Sequence, residues 1–110
     1  MPDRQAMLFT HAFPQLSQEL EQLLEDAGEA NLAAQVAELR IVDRCRCGDD
    51  FCASFYTRPK PNGAYGPGHR NVALTPTKGM LILDVVAREI ACVEVPNRDD
   101  VREKLLAVLS

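Results

Sequence analysis

Met80-Leu-Ile-Leu-Asp-Val-Val-Ala-Arg-Glu-Ile-Ala-Cys-Val-Glu-Val95 is a strongly apolar stretch, and its reading decides the fold. Leu81, Leu83 and Val85 alternate with Ile82, Asp84 and Val86, the period of two that marks a β-strand. A second apolar strand runs from Glu89 to Val95, joined to the first near Ala87-Arg88. Both faces of the first strand are largely apolar, which predicts at least one strand inside a sheet and covered on both faces. Asp84 interrupts this pattern, and Asp43 does the same in an earlier strand. A carboxylate in such a place must be satisfied by an arginine or by backbone groups. Arg44, Arg58 and Arg88 are the expected partners, and the expected role of both acids is structural rather than catalytic.

Working outward, Pro96 ends the sheet. Asn97 suits an N-cap, with Asp99 and Asp100 in a first turn where the helix dipole favours acids. Val101, Leu105 and Val108, with Leu106 and Leu109 beside them, form the apolar stripe of a closing helix over 97–109. Upstream, Asn71 to Thr75 reads as a short strand and Pro76 to Gly79 as a tight turn. Arg40 to Cys47 and Phe51 to Thr57 read as a hairpin around Gly48-Asp49-Asp50. Leu39, Ile41, Cys45 and Cys47 share one face of its first strand with Asp43, and Arg40, Val42, Arg44 and Arg46 share the other.

Residues 14–39 are helical in period. Pro14 suits a first turn, Leu16, Leu20, Leu23, Leu24 and Ala27 repeat at helical spacing, and Gly28 is a stop. Glu19, Glu21, Glu25 and Asp26 occupy the outer face. Leu32, Val36 and Leu39 mark a second helix, with Ala33, Ala34 and Ala37 at close contacts. Residues 1–13 carry little pattern. The order of helix, helix, about five strands and helix predicts an α+β domain: an antiparallel meander with helices on one face.

A chain of 110 residues fits one domain, 1–110, and 46% hydrophobic residues suffice for one core. With no Trp, that core is expected to be mainly aliphatic. A formal charge of −4 argues against nucleic-acid binding through the whole surface. No apolar run approaches the ~20 residues of a membrane span, and the N-terminus lacks a secretory pattern. The expectation is a cytoplasmic protein whose four cysteines are thiols or metal ligands.

Three of those cysteines, Cys45, Cys47 and Cys52, lie in the hairpin. They can converge on a zinc ion, with His69 or Cys92 as a fourth ligand, although Cys-x-Cys-x4-Cys differs from paired Cys-x2-Cys knuckles. Hairpin register decides whether they converge. If Cys47 pairs with Cys52, Cys45 faces Ser54 and all three thiols share a face. If Cys47 pairs with Phe51, Asp43 faces Phe55, and Cys52 joins Arg44 and Arg46. Buried thiols behave as small hydrophobes, so a structural role is the simpler expectation. The segment Arg44-Cys-Arg-Cys-Gly-Asp-Asp-Phe-Cys52 resembles Cys-x-Cys-Gly hairpins of small bacterial proteins of unknown activity. That resemblance implies a bacterial origin and a hairpin, and carries no mechanism.

Arg58 to Arg70 (Arg-Pro-Lys-Pro-Asn-Gly-Ala-Tyr-Gly-Pro-Gly-His-Arg) is too rich in Pro and Gly for regular structure. With Arg44 and Arg46 it makes the middle of the chain cationic. Arg44, Arg46, Arg58, Lys60, His69 and Arg70, with Tyr65 as a stacking group, are candidate binding residues for an acidic protein surface or a small anionic ligand. Gly63, Gly66 and Gly68 do not form a phosphate-binding signature. His69 with Cys52 and Asp49 or Asp50 is the only local set resembling a nucleophile, base and acid, and nothing in its spacing makes them meet. His11 lies in the weakly patterned N-terminal stretch.

The leading expectation is therefore a non-enzymatic binding module using a cationic hairpin and loop, with no cofactor. A zinc-stabilised module using Cys45, Cys47, Cys52 and His69 is one alternative, and a thiol enzyme or redox sensor using Cys52 and His69 is the other. An edge position for the strand after the loop would favour a homodimer.

Overall fold

The computed structural model describes residues 7–44, 53–59, 65–76, 80–96 and 98–108. Pro14 takes the first position of a helix, Pro14–Asp26, whose apolar stripe buries Leu16, Leu20 and Leu24. Its end is set by Gly28, which adopts φ 79°. There the Gly28 amide donates to the Glu25 carbonyl at 3.1 Å and the Glu29 amide to Leu24 at 2.8 Å. This paired capping needs a left-handed residue that Gly supplies without strain. The helix after it is short, Ala30–Gln35, and tightens into a 3-10 turn, Val36–Glu38.

Numbered in chain order, the elements are β1 (Met7–Leu8), α1 (Phe9–Ala12), α2 (Pro14–Asp26), α3 (Ala30–Gln35), β2 (Arg40–Ile41), β3 (Asp43–Arg44), β4 (Phe55–Tyr56), β5 (His69–Leu74), β6 (Leu81–Val86), β7 (Glu89–Glu94) and α4 (Asp99–Val108). The protein is α+β, with an antiparallel five-stranded sheet ordered β3-β4-β7-β6-β5 and a two-stranded sheet of β1 and β2. β4, β7 and β6 are the interior strands, and the two-faced apolar pattern of β6 and β7 suits that place.

The meander is interrupted once. The chain leaves β4, crosses to the far edge as β5, and returns through β6 and β7 to pair with β4. The strand expected over 40–47 is also divided, because Arg40–Ile41 pairs with β1 whereas Asp43–Arg44 pairs with β4. Residues 7–13, which carry little pattern, supply β1 and α1. There Phe9 and Phe13 are buried beside Phe55.

Strand register sorts the sheet into two faces. Phe55, Val93, Leu83 and Val72 lie in one row across four strands. All are buried in one cluster with Leu16, Leu20, Leu24, Leu32 and Val36 from the helical side and Val101 and Leu105 from α4. Arg98, 8% exposed, ties α4 to α2 through both nitrogens of its fork, at 3.3 and 3.4 Å from the Glu19 carboxylate. Among the described residues no helix is long and apolar enough to cross a membrane.

The β6–β7 turn is strained. Ala87 and Arg88 have φ of 52° and 72°, a left-handed conformation that costs a residue with a Cβ about 1–2 kcal/mol. Gln35 of α3 holds this turn in place. Its amide donates to the Arg88 carbonyl at 2.7 Å and accepts from the Ile90 amide at 3.0 Å. Arg88→Gly is expected to raise the unfolding free energy by about 1 kcal/mol, because glycine takes this conformation freely. A denaturation midpoint unchanged or lowered would contradict the assignment of strain.

Candidate functional site

The face turned away from the helices carries a different row. Asp43, Tyr56, Cys92, Asp84 and Asn71 lie opposite one another across the five strands. His69 and Glu94 sit two residues along from Asn71 and Cys92, on the same face. Period-two alternation thus gathers ionisable side chains that are scattered in sequence.

Asp84 is the centre of this group and only 6% exposed, although among the described residues its face carries no helix. Its neighbours cover it. His69 Nε2 lies 2.9 Å from Asp84 Oδ1, and Asn71 Nδ2 donates to the same oxygen at 2.6 Å. Burial would raise the Asp84 pKa, but hydrogen bonds from Glu94, His69 and Asn71 outweigh it, and the carboxyl is held below its usual range. Glu94 carries the opposite shift. Its hydrogen bond to Asp84, then burial, then the Asp84 charge push its pKa up to about 7. Two carboxyl groups this close share one proton, so the lower-pKa partner accepts and the other donates. The expected partners Arg44, Arg58 and Arg88 are replaced here by a histidine, an amide and a protonated acid. Asp43 Oδ1 accepts from the Arg44 backbone amide at 2.8 Å, one of the two kinds of partner expected for it.

The pair fixes a pH dependence. Glu94 has a folded pKa above its unfolded value of 4.5, so its contribution is complete below pH 4.5 and is lost as pH rises through 7. Asp84 has a folded pKa below 3.8, so its contribution is present above that value and lost at lower pH. Stability from this cluster is therefore greatest at about pH 4–5 and declines from there toward neutrality. Glu94→Gln keeps the donor and removes the titration. Its denaturation midpoint is expected to be flatter than that of the wild-type protein between about pH 5 and 8. Equal slopes would rule out a shared proton.

Tyr65 comes from the loop and lies over this face, its ring centroid 4.7 Å from that of His69. Burial raises the phenol pKa, reinforced by the nearby Cys92, Asp84 and Tyr56 and by a hydrogen bond to Cys92. Cys92 is a buried thiol. The order across the strands is His69, Asp84, Cys92, which puts the acid between imidazole and thiol. A nucleophile-base pair needs the imidazole against the thiol.

Arg58 is positioned by the residue before it. The Thr57 amide donates to the Ala91 carbonyl and its hydroxyl to the Ile90 carbonyl, both at 2.9 Å. Those two residues lie at a β-bulge: Asp84 pairs with Cys92 and Val85 with Ile90, so Ala91 is the extra residue. A bulge re-aims side chains locally, and here it leaves a small residue under the loop. The result is a pocket of about 350 Å³ lined by Arg58, Pro59, Tyr65, Val86 and Ala91. Around the strand end lies a groove of about 450 Å³ bordered by Gln35, Arg40, Arg58 and Glu89. Arg58 borders both and pairs with Glu89 at 3.1 Å.

The expected binding residues are thus only partly brought together. Arg58, Tyr65 and His69 lie near one another, whereas Arg70 points to the helical side and makes two hydrogen bonds to Glu29, at 3.0 and 3.1 Å. His69 and Arg70 are neighbours in sequence on opposite faces. Arg44 lies on the edge strand β3. Arg46, Lys60, Cys45, Cys47 and Cys52 lie outside the described residues, among which no group of three or more metal-ligating side chains is gathered. The pairings Asp43↔Tyr56 and Arg44↔Phe55 follow the first of the two hairpin registers, not the one placing Asp43 opposite Phe55. Asn71 and Glu94 join the site unforeseen, and Cys92, expected only as an alternative fourth metal ligand, lies in the same row. The signal available for them was Asp84 itself, a charge in an apolar strand with no satisfied partner nearby in sequence. No family model, curated protein or solved structure matches the chain.

Proposed function

We propose that this protein is a small, non-enzymatic binding module that recognises an acidic partner through the segment between Arg44 and Arg70. The placement of Arg58 supports this reading. It stands between two hollows at one end of the sheet, and its side chain is 46% exposed and that of its partner Glu89 64% exposed. A surface pair of this kind contributes little and exchanges readily, so the guanidinium is available to an incoming anion. Arg70, by contrast, is engaged with Glu29 and acts as a brace between β5 and the loop before α3.

Titration with poly-L-glutamate, followed by amide chemical shifts, tests the reading. Shifts are expected around Thr57, Arg58 and Glu89, and the affinity should fall steeply between about 0.02 and 0.3 M salt. Salt-independent binding, or shifts confined to the α2 side, would contradict it.

One observation favours a second reading, a zinc-stabilised hairpin. The register at Asp43 and Arg44 is the one that, continued through residues 45–52, would set Cys47 opposite Cys52. Those residues lie outside the described ones. Metal content with free-thiol titration on reduced protein separates the two: near-stoichiometric zinc with three protected thiols supports the hairpin site, and free thiols without metal oppose it.

A further inference from the structure

The pocket under the loop narrows the class of partner. Its walls are Pro59, Val86, Ala91 and the ring of Tyr65, and its charged lining residue is Arg58. At about 350 Å³ it falls at the small end of ligand pockets, which span about 300–1,000 Å³. We propose that this pocket takes a small organic carboxylate with an apolar, planar body, the carboxylate on Arg58 and the body against Tyr65, Val86 and Ala91. The proposal rests on the anion-binding reading above and deepens it.

Three observations support this ligand. The lining is mostly apolar, so an anion without an apolar body leaves most of it unused, and apolar burial is where such a site gains affinity. A guanidinium presents a planar fork that matches a carboxylate with two parallel bonds. The walls are also preorganised. Tyr65 is held by His69 and by its hydrogen bond to Cys92, and Thr57 ties the loop to the bulge at Ile90 and Ala91. A site already rigid loses less freedom when it binds. The ligand carboxylate replaces Glu89 on Arg58, which makes Glu89 a competitor from within the chain.

Phenylacetate is a suitable probe, with 2-phenylethanol as its neutral counterpart and inorganic phosphate as an anion without an apolar body. Binding is followed by amide shifts in the wild-type protein, Arg58→Gln, Glu89→Gln and Ala91→Leu. Phenylacetate is expected to bind with Kd of about a millimolar, as its size allows. It should shift Val86 and Ala91, and outcompete both 2-phenylethanol and phosphate by about tenfold. Arg58→Gln should weaken it about tenfold, Ala91→Leu should block it by filling the pocket, and Glu89→Gln should tighten it about two- to threefold. Phosphate binding at Arg58 as tightly as phenylacetate would overturn the proposal and leave the anion-binding reading standing. Failure of phenylacetate, phosphate and poly-L-glutamate alike would overturn both. Phenylacetate binding unchanged in Arg58→Gln, or undiminished in Ala91→Leu, would overturn the assignment to this pocket.

Discussion

Replacing Phe55 with alanine is expected to lower the unfolding free energy by about 3–5 kcal/mol, a large share of the roughly 5–15 kcal/mol available to a domain of this size. Phe55 is fully buried, and its ring joins three parts of the chain. Its centroid lies 5.2 Å from that of Phe9 in α1 and 6.1 Å from that of Phe13, nearly parallel to the latter at 5°. β4 is only two residues long, so its side-chain packing, more than its ladder, keeps it between β3 and β7. Truncation would leave a cavity that neighbouring aromatic rings fill poorly. Thermal unfolding should shift down by more than about 10 °C. A shift of a degree or two would mean that Phe9 and Phe13 collapse into the space and that the aromatic cluster is not the junction described.

The second large effect is expected from Asp84→Ala. Removing this carboxylate takes the acceptor from His69, Asn71 and Glu94 at once. Hydrogen bonds to a charged group contribute more than neutral ones, so a loss of about 1.5–3 kcal/mol is expected near pH 5–6. The loss should shrink above neutrality, where Glu94 in the wild-type protein has itself become charged beside Asp84. In the variant, Glu94 should titrate near the ordinary carboxylate range, since its main cause of elevation is gone. Carbon-detected NMR titration of the Glu94 side chain reads this directly. A Glu94 pKa still near 7 in the variant would show that burial alone sets it, and would dissolve the shared-proton pair.

Much of this arrangement is legible in the sequence, and the limits have physical causes. The strands Leu81–Val86 and Glu89–Glu94 follow from a period-two pattern that no helix satisfies. The bounds of α2 follow from Pro14 and Gly28 because both residues act through local backbone geometry. α1 is too short to show a helical period, and its Phe9 and Phe13 are anchored by contacts with Phe55 distant in sequence. The pairing of β4 with β7 is a choice among long-range partners that local patterns do not encode. The same reason hid the partners of Asp84, which depend on the β5–β6 register. The bulge at Ala91, which opens the pocket, leaves no mark in a run of apolar residues. His69 and Arg70, read from their Pro/Gly-rich neighbours as part of the irregular loop, instead open β5, where alternation sends them to opposite faces; Arg70 becomes a brace to Glu29, and Arg58 keeps an exposed, exchangeable partner.

The central claim is that Arg58 is the recognising cation, and one comparison tests it most directly. Calorimetric titration of poly-L-glutamate into wild-type protein and Arg58→Glu, at low salt and with folding of both checked by circular dichroism, reads the contribution of that charge. Affinity reduced at least about tenfold in the folded variant is the predicted result. Equal affinity in the two proteins would contradict the claim and move recognition away from this end of the sheet.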